Sequence, residues 1–546
     1  MTVKYTVVIK FAILIAAMNG CTGNDTPDRA DNGACDKIGP FGVLHRNPRT
    51  TEEPVTPSTP ELKKKEVAER LDTAGLLYTG KVVVDKDFRM LEPPEEVARF
   101  AGKDYVIASE PPEIEFAVVP VEPPWLNESP VKITKDISGY QGPWKPTEID
   151  NTPGPWTHWT QGNYDSRTGK FYTSAGDHGK YDAHIFIVEY DPAQKKITCF
   201  PEINKVLGRT RTQFSEGKLH GWLDFYRSGR LERPHLWFIT YWCKYPEPDE
   251  EDYATGYRGG HIMSLDVETG DMVDYGVPIP RASFPYHRID TTRGIMYAVG
   301  MFGEFLAWDI EEQRTRWAGY LPAGMAWWNR AIMIDEVTGL VYTTNMHESD
   351  TKRHLIAYDP DRNRFRRLDC HMPMEHGDPV RGEGEGGYGH MRCQTRRRGP
   401  DGLFWGITYG GELFSFDPEN ETVEDRGVCW PHPQRYTCSM ERSPGGRYLY
   451  YVPCSPRFYY TAASPIVQYD TETGRIKVLA FTWPFYREKY GFTTSQNFSL
   501  KLDDAGEKLF VVWNGGFVEH ETDGVDDTFG QVAVMLVNIP ESERRE

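Results

Sequence analysis

From about residue 166 to the C-terminus, short apolar stretches alternate with turns rich in Gly, Pro, Asp and Asn, a pattern of strands without interleaved helices. Two elements recur in order. The first is a turn, most often ending in Gly, followed by an apolar strand with aromatics: SRTGKFYT at Ser166, LERPHLWFIT at Leu231, TTRGIMYAVG at Thr291 and EVTGLVYTTN at Glu336. It returns as GPDGLFWGIT at Gly399, SPGGRYLYYVP at Ser443 and DAGEKLFVVWN at Asp504. The second is an apolar strand running into Asp191, Asp266, Asp309, Asp359, Asp417, Asp470 or Asn538 and another turn. The spacing is near that of four-stranded propeller blades, so the seven paired copies predict an all-β, seven-bladed β-propeller over 151–546.

Each blade's innermost strand should lie about 7 to 12 residues before its Gly turn, judging by ordinary strand lengths. Those windows are rich in polar groups. They hold His158 and Asn163, then His220 and Asp224, then Tyr286, His287 and Arg288. Blade four brings Trp328, Asn329 and Arg330, and blade five Tyr388, His390 and Arg392. Blade six brings Arg435 and Tyr436, and blade seven Gln496 and Asn497. Loops between second and third strands add His178, Tyr181, His184, Tyr245, Tyr257 and His347 to the same face. Many short loops converging on one concavity make this face the expected ligand site, with the Gly and Asp turns on the opposite, structural face. In this reading His158, His220, His287 and His390 occupy matching slots around one channel, and His178, Tyr245, Tyr257, Trp328, Asn329 and Asn497 line the substrate.

The N-terminal third reads differently. Residues 1–21 carry Lys4, Lys10 and a short apolar run, too short to span a bilayer, ending MNGC at Cys21. This is similar to a bacterial lipoprotein signal and predicts export, lipidation at Cys21 and a membrane link through the lipid alone. Residues 22–75 read as a tether with a short helix, rich in Thr, Pro, Asp and Glu at first. Residues 76–150 read as an irregular extension packing on the propeller, within which EIEFAVVPV at Glu113 is either an outer strand closing the ring or a cap. Of the eight cysteines beyond Cys21, Cys429 and Cys438 flank one inter-blade loop and are placed either to pair or to be buried as thiols. The formal charge of −18 argues against nucleic acid as a partner, and any polyanion would need a local basic site.

A lipoprotein-type signal, seven blades and a channel mouth of His, Tyr and Arg resemble β-propeller polysaccharide lyases. These are the ulvan lyases and their relatives acting on rhamnose–glucuronate linkages, and the likeness spans roughly residues 150–540. The resemblance implies an acidic poly- or oligosaccharide as partner and β-elimination at a uronic acid. That chemistry needs a base for the C5 proton, an acid for the leaving oxygen and a cation on the carboxylate. His220 or His158 would be the base, Tyr286 or Tyr436 the acid, and Arg330 or Arg392 the cation, with His287 and His390 nearby. Two other readings stand beside it. One is a metal-dependent propeller oxidoreductase or hydrolase holding a divalent ion, Zn or Ca, on His220, His287 and His390. The other is a surface lipoprotein that binds glycans or proteins without catalysis.

Overall fold

A computed structural model describes residues 157–545 except 177–182, 211–212, 243–247, 323–329, 345–352, 374–388, 433–434, 455–463 and 518–530. It also describes parts of 82–119. The signal, Cys21 and the tether therefore lie outside the described residues, as do His178, Tyr245, Trp328, Asn329 and His347.

Seven antiparallel sheets follow one another along 163–199, 216–274, 286–320, 333–371, 391–428, 436–481 and 492–538. They are the blades of a seven-bladed β-propeller. Every window named above supplies the first strand of its sheet, from Asn163–Asp165 in blade one to Phe492–Leu502 in blade seven.

The recurring Asp residues have a local cause. Each ends its blade's third strand and turns its carboxylate onto a backbone N–H of the next turn. Glu268 N donates to Asp266 at 2.9 Å, Glu312 N to Asp309 at 2.9 Å and Glu419 N to Asp417 at 2.8 Å. Asp side chains make this bond better than most because they reach a backbone donor two or three residues on. The Gly turn needs its glycine for a different reason. Gly294 and Gly339 close it at φ of 67° and 82°, a left-handed conformation that a side chain resists.

The blades are held together by wedges of apolar side chains, one between each neighbouring pair. Blades three and four share Tyr297, Phe305, Ile332 and Tyr358. Blades seven and one share Val512, Val534, Phe171 and Val188, and there Phe171 stacks on Phe510 at 4.8 Å. That last wedge closes the circle.

The extension before residue 151 is part of this closure. Glu113–Val118 pairs antiparallel with Gln531–Asn538 as the fourth strand of blade seven, and Val83–Asp85 adds a fifth. Val106–Ile107 lies parallel on the outer strand of blade six. Of the two sequence alternatives for Glu113, strand and cap, the structure takes the strand. Two buried carboxylates pin these pieces. Asp85 accepts from Tyr486, Tyr490 and Lys489 at 3.0, 2.6 and 2.6 Å, and Glu543 accepts from the Ser109 hydroxyl and Lys477 at 2.6 Å each.

Candidate functional site

Strand side chains alternate between two faces, so only every second residue of an innermost strand reaches the axis. In blade two the strand is interrupted between Glu216–Leu219 and Asp224–Tyr226, both of which pair with His235–Trp242. The break brings His220–Leu223 against both neighbours. Gln161 N donates to Gly221 O and Leu223 N to Gln161 O, each at 3.0 Å, while Trp222 N donates to His287 O at 3.2 Å.

The axial residues form layers. Farther along these strands, the channel is crossed by hydrogen bonds. Gln161 Nε2 donates to Cys438 O at 3.0 Å and to Phe498 O. Trp222 Nε1 donates to the Tyr286 hydroxyl, which also receives Gln394 Nε2 at 2.7 Å. The site candidates above this layer belong to the entry mouth.

At that mouth His220 stacks on Trp159 at 5.4 Å and meets Tyr241 edge-on at 5.1 Å. Lys218 lies 4.7 Å from the Trp159 ring. Arg392 donates through Nε to the Tyr436 hydroxyl at 2.6 Å and through a terminal nitrogen to the Cys438 sulfur at 2.9 Å, with its guanidinium over the Tyr436 and Phe498 rings. His390 packs on Tyr409 at 4.9 Å, and Tyr409 on Tyr436 at 4.8 Å. Most of the floor is nearly closed to solvent: Lys218 keeps 7% exposure, His220 5%, Arg330 8% and Tyr436 6%.

The electrostatics follow from this crowding. Burial pushes the His220 pKa well below the ordinary value, and the positive charges of Arg330, Lys218 and Arg392 push it further down. His220 is therefore neutral at physiological pH. Burial holds the Tyr436 hydroxyl well above its usual range against the opposing pull of Arg392, so it keeps its proton. The Arg392 Nε–H must donate, which makes the Tyr436 oxygen the acceptor of that bond and leaves its own O–H to donate, with the Cys438 sulfur within reach.

The four equivalent histidines divide into two pairs. His220 and His390 are in phase with the axis. His158 and His287 are one residue out of phase and point between blades, because a single-residue shift in a strand exchanges its faces. His158 Nε2 donates to Val512 O at 3.0 Å, and its backbone N–H to Asn514 Oδ1 at 2.7 Å. His287 Nε2 accepts from Ile239 N at 3.3 Å, and its ring lies so close to Gly221 that a Cβ there would come within 2.1 Å of Nδ1. His220, His287 and His390 consequently do not converge on one centre. Among the described residues no group of three His, Cys, Asp or Glu is placed to hold a metal ion.

Other residues named from the sequence lie away from the mouth. Tyr286 sits in the crossing layer below the mouth, its oxygen taken by Trp222 and Gln394. Asn497 is fully buried at a bulge, its amide donating to Ser499 O and Val512 O at 2.7 and 2.8 Å and accepting from Ser439 at 3.1 Å. Tyr257 is packed against Phe214 and Tyr253 in a satellite core. Cys429 and Cys438 are free, buried thiols. The mouth residues that sequence reasoning passed over are Lys218, Trp159, Tyr241, Tyr409 and Phe498. Lys218 was legible, since it lies two residues before His220 and so on the same face.

The buried histidines predict a fold that loses stability in acid. Burial lowers His158 to about 3 and His287 to about 4, and His220 moves in the same direction. Unfolded histidines titrate near ~6.5, so below that pH unfolding takes up protons that the fold refuses. Stability is then lost as pH falls, by about 1.4 kcal/mol per pH unit for each histidine still neutral in the fold. Urea midpoints should fall steadily between about pH 7 and pH 5; a level profile would contradict the assignment.

No protein-family model matches the chain, and no curated protein matches it at a significant level.

Proposed function

We propose that the protein is a polysaccharide lyase that cleaves a uronic-acid-containing glycan by β-elimination at the entry mouth. The observation that carries the reading is one cluster: neutral His220 under the charges of Arg330, Lys218 and Arg392, with protonated Tyr436 held by Arg392. Three cations around one neutral base suit a substrate that brings a carboxylate. Bound beside Arg392, that carboxylate spreads the charge developing as C5 loses its proton, which is the hardest demand of the reaction.

In this mechanism His220 takes the C5 proton, the C4–oxygen bond breaks, and Tyr436 gives its proton to the departing oxygen. The new double bond lies between C4 and C5. The proton gained by His220 replaces the one lost by Tyr436, so each turnover leaves the enzyme as it began. Trp159 and Tyr409, the half-buried rings of the mouth, offer stacking faces for sugars. The anionic substrate also offsets the cations that depress His220, which strengthens the base when substrate is bound.

The test is a set of uronate-containing polysaccharides incubated with purified protein and followed by the ultraviolet absorbance of unsaturated uronate. New absorbance on at least one of them is expected. Chain shortening without that absorbance, or saturable binding with no product from any bound polysaccharide, would overturn the lyase reading.

A further inference from the structure

The opposite end of the channel, where the Gly turns lie, opens into a cavity of about 720 Å³. Along each contributing strand its residues come after those of the entry mouth: 163–167 after Trp159, 225–227 after His220, 395–400 after Arg392 and 441–444 after Tyr436. The crossing layer of Gln161, Trp222, Tyr286 and Gln394 lies between the two mouths.

This cavity is basic in a chain of formal charge −18. The run Arg396–Arg398 lines it with Arg167, Arg227, Arg442 and Lys501, against the carboxylates of Asp165, Glu441 and Asp504. Most of these charges are already paired: Asp165 with Arg167 at 2.7 Å, Glu441 with Lys501 at 2.8 Å, Arg397 with Glu336 at 3.2 Å, Arg442 with Asp401 at 2.6 Å, and Arg398 with Asp335. Arg396 donates to Asp224 at 2.6 Å and to the side-chain Oδ1 of Asn163 at 2.8 Å.

Two guanidiniums remain without a carboxylate. Arg227 is exposed on the cavity wall and makes no ion pair among the described residues. Arg288 is 2% exposed, lies 4.6 Å over the Trp222 ring, and makes one hydrogen bond, to the backbone carbonyl of Arg396 at 3.0 Å. Its Nε–H is buried with no partner. A buried guanidinium held by one neutral carbonyl is costly, and a second one, Arg396, lies beside it on the same indole. Asp224 bonds Arg396 and acts on Arg288 only from a distance, so an anion supplies the compensation that Arg288 lacks.

We infer that the turn mouth binds a tetrahedral oxyanion, sulfate or phosphate, either free or as an ester on a sugar-sized molecule. The volume falls in the range of small-molecule sites, and arginine forks match the spacing of oxyanion oxygens. Arg227 supplies the outer contact, and Arg288 with Arg396 the buried positive field beneath.

Calorimetric titration of the intact protein tests this with sodium sulfate, sodium phosphate and a monosaccharide monosulfate, against sodium chloride at equal ionic strength. Saturable binding of at least one oxyanion is expected, with no equivalent for chloride. Arg227→Gln, at an exposed position that the fold does not need, should weaken that binding about tenfold. Tighter binding of the ester than of the free ions assigns the ligand as an ester; equal affinities assign the free ion. Arg227→Gln should leave uronate elimination at the entry mouth unchanged, so this site and the lyase reading fail separately. Equal responses to chloride and sulfate, or full affinity in Arg227→Gln, would overturn the inference.

Discussion

Replacing His220 by Ala is expected to lower turnover of a uronate substrate by roughly 10²- to 10⁴-fold, the usual contribution of one positioned acid or base. The side chain lies on the axis above the crossing layer, packed between Trp159 and Tyr241, and burial together with three cations keeps it unprotonated. Tyr436→Phe should cost a similar factor, since it removes the proton donor and keeps the ring that packs on Tyr409. The informative control is His158→Ala. That residue shares the same slot in the repeat but donates to Val512 O between blades, so it should cost stability and leave turnover of the folded protein near normal. A His220→Ala variant that retained full activity would remove the base from the scheme.

The pH profiles carry a further signature. In the free enzyme burial, and after it the neighbouring cations, hold His220 well below its ordinary pKa, so the acid limb of kcat/KM should lie below the usual histidine range. Bound carboxylate offsets those cations, so the limb in kcat should move upward. Coincident limbs would argue against a carboxylate beside Arg392.

Phe116→Ala is expected to destabilise the fold by about 3–5 kcal/mol, the range for deleting a buried aromatic side chain. Phe116 is fully buried on the closing strand and touches Tyr486, Tyr490 and Phe492 at 4.5, 5.8 and 5.3 Å. Its strand pairs with Gln531–Asn538, so the residue couples the two ends of the chain. Loss of that grip frees blade seven, and through it the wedge shared with blade one. Urea unfolding measures the loss, with Val337→Ala as the surface comparison: Val337 is 77% exposed and should change stability by less than about 0.5 kcal/mol. Equal midpoints for the two variants would show that the closing strand contributes nothing to the ring.

Much of the candidate site was legible and some was not, and the dividing line is physical. His220, His390, Arg392 and Tyr436 were found because a propeller repeats one strand per blade beside the axis. His158 and His287 were grouped with them because slots aligned by turns are correct only to within about a residue. That tolerance is harmless for assigning a strand and fatal for assigning a face. The interruption at His220–Leu223, which sets the phase in blade two, has no sequence signature beyond Gly221. The basic turn mouth was also hidden. Arg396–Arg398 reads as a short charged run, and only folding brings it beside Arg227, Arg288 and Arg442, residues separated from it in sequence but joined by the axis.

The number of blades, their order and the residues of each innermost strand are legible in the linear chain, because turn chemistry and strand apolarity act over a few neighbouring positions and repeat. Only the tertiary structure decided which of those side chains meet the axis, where the ring is sealed and where positive charge gathers. Those outcomes depend on strand phase, on pairing between distant segments such as Glu113–Val118 and Gln531–Asn538, and on fields summed over several blades, none of which any local stretch of chain encodes.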